Sequence, residues 1–401
     1  MTDFCFDIGL ARESVEGLGT ELDDDYSVRE NAARIVWSHL TEPGDGIAGL
    51  VVEVYGAADG LERLVADARG GYDALASLLD KKAHSDALRR WLPRLSRQVV
   101  NDTVSLARRR GIALVVPGDN RWPPMLGDLG VHSPICLWVR GEPLLLRSSL
   151  PQVAIVGARA ATAYGEHVAV ELASELAASN VAVVSGAAYG IDGAAHRAAL
   201  IAGGTTIALM AGGVDRSYPA GHTQLLERIA QTGVVASETP PGSAPTKWRF
   251  LQRNRLIAAL TSATVVVEAG WRSGSLNTAG HAAQLSRPLG AVPGPITSAA
   301  SAGCHRLFRE FGAQCVTSAS DVRELLGMSA SDDATAMLDL EGTDDTTRVL
   351  DALSARVWRE TVDVARRAGM LPEEVEAALG MLTLEAKAER SAHGWRRHNG
   401  R

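Results

Sequence analysis

Between residues 151 and 318 the chain alternates short apolar runs with stretches rich in Ala, Leu and Arg. The runs fall at 153–155, 181–184, 206–210, 234–236, 265–267, 290–292 and 315–316. Strands this uniformly apolar are buried on both faces, which requires a parallel sheet covered by helices. Right-handed crossovers between such strands give an α/β fold with a doubly wound, mostly parallel sheet. Ligands in that architecture bind beyond the carboxyl ends of the strands. Gly157, Gly186, Gly212, Gly213, Gly270 and Gly294 fall there.

The flanks have a different character. Residues 28–107 read as a small helical domain. Ala32, Ile35, Val36 and Leu40 keep helical spacing, residues 42–45 (EPGD) break it, and Ile47, Leu50, Val51 and Val54 resume it. Short strands at 113–116 and 135–139 open the α/β domain, set at 108–326. Residues 327–344 are small, acidic and aperiodic, the composition of a linker. Helices at 347–353, 360–368 and 372–384, with a terminal hairpin, suggest a winged helix over 345–401. Its third helix carries Glu373, Glu374 and Glu376 where a duplex reader needs cations, so protein contact or packing outweighs DNA contact there.

Taken alone, the formal net charge of −7 argues against a nucleic-acid partner. Its location removes the objection. Residues 1–27 hold eight acids and one base, and the remaining residues hold 39 of each sign. The excess is an acidic leader, expected to be disordered. With 46% hydrophobic residues the rest can bury a sizeable core. No apolar run reaches the roughly 18 residues of a membrane span, and the N-terminus lacks a basic signal-peptide start. A soluble, cytoplasmic protein is expected. The four cysteines form no CxxC, which disfavours a zinc ribbon or disulfide framework.

Four clusters could carry chemistry. The first, residues 157–165 (GARAATAYG), follows a strand and precedes a helix. Gly157 and Ala158 leave the backbone N–H groups open to an anion, and Arg159 adds a guanidinium fork. The spacing is not GxGxxG, so a dinucleotide site is weakly supported, and an ordinary βα turn would read the same. The second, residues 185–196, contains Gly186, Asp192 and His196. Asp192 and His196 are four apart and share a helical face. A hydrogen-bonded pair fixing the loop is preferred to an acid–base pair, because no nucleophile follows.

The third cluster, residues 247–255 (KWRFLQRNR), packs four cations and two rings into nine residues. Cations tracking phosphates, interleaved with rings that stack on bases, suit a single-stranded nucleic acid. Lys247, Phe250, Arg253, Asn254 and Arg255 are the candidates; an amphipathic helix with a solvated basic face is the alternative. In the fourth, Ser273, Gly274 and Ser275 offer hydroxyls and N–H groups to a phosphate after a strand ending at Glu268. Glu268 is expected to orient this loop rather than to catalyse. GxxxxGK[ST], HExxH and GxSxG do not occur, so P-loop, zincin and hydrolase-elbow chemistry are disfavoured, and no cofactor or metal is expected.

These residues resemble the DprA/Smf family, DNA-processing protein A of bacteria. The segments VAIVGARAATAYG, VVSGAAYGIDGAAH, MAGGVDRSYP, RFLQRNRLIAAL and VVVEAGWRSGSLNTA stand in the family's order. The resemblance implies an extended Rossmann-like domain, with a SAM-like helical domain before it and a winged helix after it. It implies binding of single-stranded DNA, a homodimer, and loading of RecA during natural transformation, without enzymatic turnover. It maps phosphate binding onto Arg159, a lysine and the ring of a base pocket onto Lys247 and Phe250, and further contacts onto Arg253, Asn254, Arg255 and Ser273–Gly274–Ser275. Family dimers pair through the region 303–313, which here is one residue longer than usual and places Leu307, Phe308 and Phe311 at the expected interface. The competing reading is a phosphoribohydrolase-like enzyme using Glu268, although the PGGxGTxxE stretch of such enzymes is absent.

Overall fold

The computed structural model describes residues 7–20, 24–69, 74–328 and 345–398. They divide into two compact units near residue 329. Six helices come first: α1 (Ile8–Val15), α2 (Asp25–Leu40), α3 (Gly46–Tyr55), α4 (Ala57–Ala68), α5 (Lys81–Trp91) and α6 (Arg97–Arg109). Strands β1 (Ala113–Val115), β2 (Leu137–Gly141) and β3 (Gln152–Val156) follow. The chain then alternates through α7 (Ala163–Ala178), β4 (Ala182–Ser185), α8 (Ile191–Ile201), β5 (Thr206–Leu209), α9 (Thr223–Thr232), β6 (Val234–Ser237) and α10 (Lys247–Leu260). It continues through β7 (Ala263–Val266), α11 (Ser275–Gln284), β8 (Leu289–Ala291), α12 (Ala302–Glu310), β9 (Gln314–Cys315) and α13 (Ala319–Leu325).

The nine strands form one sheet in the order β1-β2-β6-β5-β4-β3-β7-β8-β9. Pairing is parallel from β6 to β9; β2 and β1 add antiparallel at one edge. At the centre Ala154 pairs with Val184 on one side and Thr264 on the other. The order reverses direction at β3, so the crevice between the β3 and β7 ends is the topological switch point. Both faces are covered. Val153 and Ile155 pack against Leu172, Leu176 and Ile191 of α7 and α8. Ala154 and Val156 face the opposite way, toward Leu256 and Ile257 of α10 and Leu307 of α12. Each fully buried Val, Leu or Ile contributes about 1.5–3 kcal/mol, enough to fix which face is which.

The first six helices share a core with the sheet edge. Val28, Ile35 and Trp37 lie in one cluster with Leu114, Trp138, Ala208 and Val235. The change near residue 107 is therefore a change of secondary structure within continuous packing. The leader departs from expectation. Residues 8–15 are helical, with Asp7 accepting from the N–H groups of Gly9 and Leu10. Ala11, Val15 and Leu18 are buried in the same cluster, while Glu13 and Glu16 face solvent. Arg108 of α6 donates to the carbonyls of Glu13 and Glu16. Asp24 caps α2 through Ser27, so these acids start a helix, where negative charge is favoured. Residues 1–6 and 21–23 of the leader lie outside the described residues.

Most of the linker read at 327–344 also lies outside the described residues. The second unit contains α14 (Asp345–Ala352), α15 (Thr361–Ala368) and α16 (Pro372–Leu384). An antiparallel hairpin of β10 (Ala388–Ser391) and β11 (Gly394–Arg397) follows. Val349, Val364, Val375, Leu379 and Leu382 form its core. Pro372 opens α16 at its first position, and Glu374 accepts from the Leu371 N–H to close the cap.

Candidate nucleic-acid interface

The loops after β3 and β7 and the start of α10 border an open cleft of about 800 Å³ at the switch point. Their close approach is a sequence requirement. A Cβ on Gly157 would stand 2.5 Å from the Ile191 side chain and 2.9 Å from the Glu268 carbonyl. Without one, the Ala158 N–H donates to the Glu268 carbonyl at 2.7 Å, and the Ile191 N–H donates to the Ala158 carbonyl at 3.3 Å. The loop that carries Arg159 is thus stitched to both neighbours.

Lys247, Phe250, Leu251 and Asn254 follow one face of α10 and line the cleft. Thr246 caps the helix by accepting from the Arg249 N–H at 3.2 Å. Lys247 and Arg159 are exposed, and Phe250 is half-buried between elements. The Arg159 guanidinium lies 4.7 Å from the Phe250 ring centroid. Tyr218 contacts the same ring, centroid to centroid 5.4 Å at 52°. Beneath them Arg253 is buried and donates to the carbonyls of Gly186, at 2.7 Å, and Leu209. Burial pushes Arg253 down to about 10, with the Arg159 charge acting in the same direction and Asp192 opposing, so it remains a cation at neutral pH. Asn254 donates to the Gly274 carbonyl at 3.4 Å and to Asn277 at 3.2 Å, holding the loop in which the Ser273 and Ser275 hydroxyls sit 2.8 Å apart.

Chemically, the cleft offers three exposed cations, Arg159, Lys247 and Arg272, one buried cation, a half-buried ring and the N-terminal ends of α10 and α11. That arrangement suits an anionic chain bearing flat, stackable groups. Glu268 stands at its back. Its carboxylate accepts from the Thr162 N–H and hydroxyl, both at 2.8 Å, and Thr162 caps α7. Both oxygens are therefore occupied in holding the Arg159 loop.

Four expectations need correction. Arg255 does not reach the cleft. Its side chain is 4% exposed, paired with Glu238 at 2.8 Å and donating to the His132 carbonyl at 2.9 Å. Gly186 lies behind the wall, where a Cβ would fall 2.3–2.4 Å from the Arg253 guanidinium, so it makes room for that cation rather than for a ligand. Asp192 and His196 are not partners. Asp192 accepts from the Gly186 and Ala188 N–H groups, at 3.1 and 3.4 Å, and burial raises its carboxyl against the pull of Arg253. The Thr206 hydroxyl donates to the Val183 carbonyl and so receives the proton of His196 Nδ1 at 2.7 Å; burial pushes that imidazole down to about 3. Finally, Leu307 is wholly buried within the chain's own core, and Phe308 packs on the same cluster, leaving Phe311 as the exposed member of the three.

Sequence reasoning missed Tyr218 and Arg272, both of which line the cleft. Tyr218 stands in the quoted MAGGVDRSYP segment, where an aromatic ring soon after a glycine turn at a strand end was the available signal.

Comparison with known proteins agrees with this geometry. A protein from Mycobacterium tuberculosis strain H37Rv carrying the DprA name is 48% identical over 309 residues, covering 74% of this chain and 79% of the relative. The DNA processing protein DprA of Streptococcus pneumoniae is 43% identical over 204 residues, covering 51% of this chain and 71% of that protein. The X-ray structure of DprA from the same species superposes with a TM-score of 0.60 at 32% identity, covering 74% of this chain and 97% of that one. The family model described as DNA recombination-mediator protein A matches residues 113–327. On the motifs, the fold and these matches, the chain belongs to the DNA recombination-mediator protein A family, the DprA/Smf proteins.

Proposed function

We propose that this chain binds single-stranded DNA in the switch-point cleft, as a recombination mediator that delivers the strand to RecA. The observation that carries the reading is the convergence of Arg159, Lys247 and Phe250, from two separate elements, on one open cleft. Phosphates would track Arg159 and Lys247 while a base stacks against the exposed part of Phe250. The family's name and the DNA-processing names of its relatives support the same role. A homodimer acting in the cytoplasm during natural transformation fits that role, with Phe311 at the surface between copies. The unit that begins at residue 345 is read as a winged helix whose acidic third helix favours protein contact or packing over DNA contact. The engagement of both Glu268 oxygens by Thr162 favours a positioning role over hydrolysis.

Binding to a single strand weakens with salt at a slope of roughly −0.7 per neutralised phosphate. Replacing Arg159 and Lys247 together by Ala should flatten the slope by about 1.4 and lower affinity for oligothymidylate. A gel-shift series across salt concentrations measures both. Wild-type affinity and slope in the double variant would reject the assignment.

A further inference from the structure

A second, separate depression lies on the other side of the α10 N-terminus. It has a volume of about 710 Å³, and its wall includes Trp248, Arg90, Arg94, His132 and the loop 42–46. Lys247 lines the first cleft and Trp248 lines the second, so the two meet across one peptide unit at the first turn of α10. Trp248 is 56% exposed, although a ring of that size normally finds cover. The cations there are exposed too: the Arg90 and Arg94 side chains retain 54% and 42% of their accessible surface.

The acids of the groove do not turn it negative. Glu42 is shared between Arg94 and Arg249, both at 2.9 Å. Burial alone would raise the Glu42 carboxyl, but those guanidiniums hold it below its ordinary value. Asp45 caps α3 and accepts from Arg90 at 3.2 Å and from the Trp91 indole at 3.1 Å. Two lining guanidiniums thus face two lining carboxylates, Arg249 behind Glu42 adds a third cation, and Lys247 adds a further positive charge at the ridge. The positive end of the α10 dipole lies at the same place, favouring a phosphate where a strand would cross.

We infer that the groove beside Trp248 is a second strand-binding subsite, in which a base stacks on the exposed indole while Arg90 and Arg94 take the following phosphates. It commits to the same occupant as the first cleft, a continuous single strand, because the consecutive residues Lys247 and Trp248 line one depression each and both depressions combine a ring with cations. The inference rests on the proposed function and extends the path from the sheet onto the helical layer.

The test compares a short oligothymidylate, about six nucleotides, with a long one of about twenty, spanning the range of strand-site sizes. Trp248→Ala should weaken binding of the long strand by roughly 5- to 150-fold, the effect of losing one stacked base, and leave the short strand unchanged. Trp248→Phe should recover most of the loss. Arg90→Ala with Arg94→Ala should reduce the salt slope for the long strand alone, by about 1.4. Circular dichroism verifies that each variant is folded. Unchanged long-strand affinity in Trp248→Ala, or equal losses for both lengths, would overturn the second subsite. If instead the variant lacking Arg159 and Lys247 binds the short strand normally, the primary reading fails and the extension fails with it.

Discussion

Glu268 is the residue on which the rival enzymatic reading depends, and its hydrogen bonds give it a different task. A buried carboxylate that accepts two bonds from one threonine fixes that threonine's backbone, here the N-cap of α7 and the exit of the Arg159 loop. Removing it deprives the part-buried Thr162 N–H and hydroxyl of their charged acceptor, at a cost of about 1–3 kcal/mol. Glu268→Ala should therefore lower the unfolding free energy by that amount and weaken strand binding, because Arg159 loses its fixed approach to Phe250. Glu268→Gln keeps an acceptor for the N–H, and the Thr162 hydroxyl can rotate to accept from the new amide. It should retain most of the stability and most of the binding. Denaturant melts and strand titrations on both variants check this. Release of free base from a nucleoside monophosphate by the parent, lost in Glu268→Gln, would instead restore the hydrolase.

At the scale of elements, the contact between the β4–α8 loop and α10 sets the depth of the cleft. The Arg253 guanidinium fills the space that a Cβ on Gly186 would occupy. Gly186→Ala should displace Arg253, cost about 1–3 kcal/mol by overpacking and loosen the floor under Phe250. In an Arg253→Ala background the added methyl has room, so the same change should cost much less. A double-mutant cycle measured by chemical denaturation reads the coupling, and additive costs would show that the two residues do not compete for space. The sheet was legible because strands buried on both faces leave continuous apolar runs that side-chain period alone cannot disguise. The loops were legible because glycine at strand ends has few other uses. Which side of α10 meets the cleft was not. Arg253 and Arg255 lie two residues apart, roughly 200° around the helix, so a dense run of cations necessarily points some of them at neighbours. Only the tertiary position of Glu238 and the His132 carbonyl decides that Arg255 is a strut. The inward turn of Leu307 has the same cause: it shares a face of α12 with buried Cys304. In α1 and the turn after it, the summed charge of the leader conceals an apolar spacing at Ile8, Ala11, Val15 and Leu18 that the sequence carries.

Among the described residues between 7 and 328, a continuous core ties the helical layer to the sheet, so local protonation should be read out in one unfolding transition. Two histidines far apart in that unit make the linkage testable. His39 on α2 is pushed down to about 4 by burial, and His196 on α8 to about 3 by the same cause. Both folded values lie below the ordinary 6.5. Below pH 6.5 the unfolded chain therefore takes up protons that the folded chain refuses, and stability falls with acid. Each histidine contributes a slope of roughly 1 kcal/mol per pH unit until its folded value is reached. Asp192 runs the other way, since its buried carboxyl accepts a proton before an unfolded aspartate does, and so the slope is best read as a difference between variant and parent. His196→Asn can still donate to Thr206 but cannot take up a proton. Between pH 6 and pH 5, roughly the upper half of the window, its stability should decline less steeply than the parent's by about 1 kcal/mol per pH unit. His39→Gln should behave alike, and the two changes should add, because the sites share no partner. Urea melts at several pH values measure all three. A parental slope in both variants would mean that these imidazoles are reached by protons in the folded chain, and that the close packing of the sheet against α2 and α8 does not persist in solution.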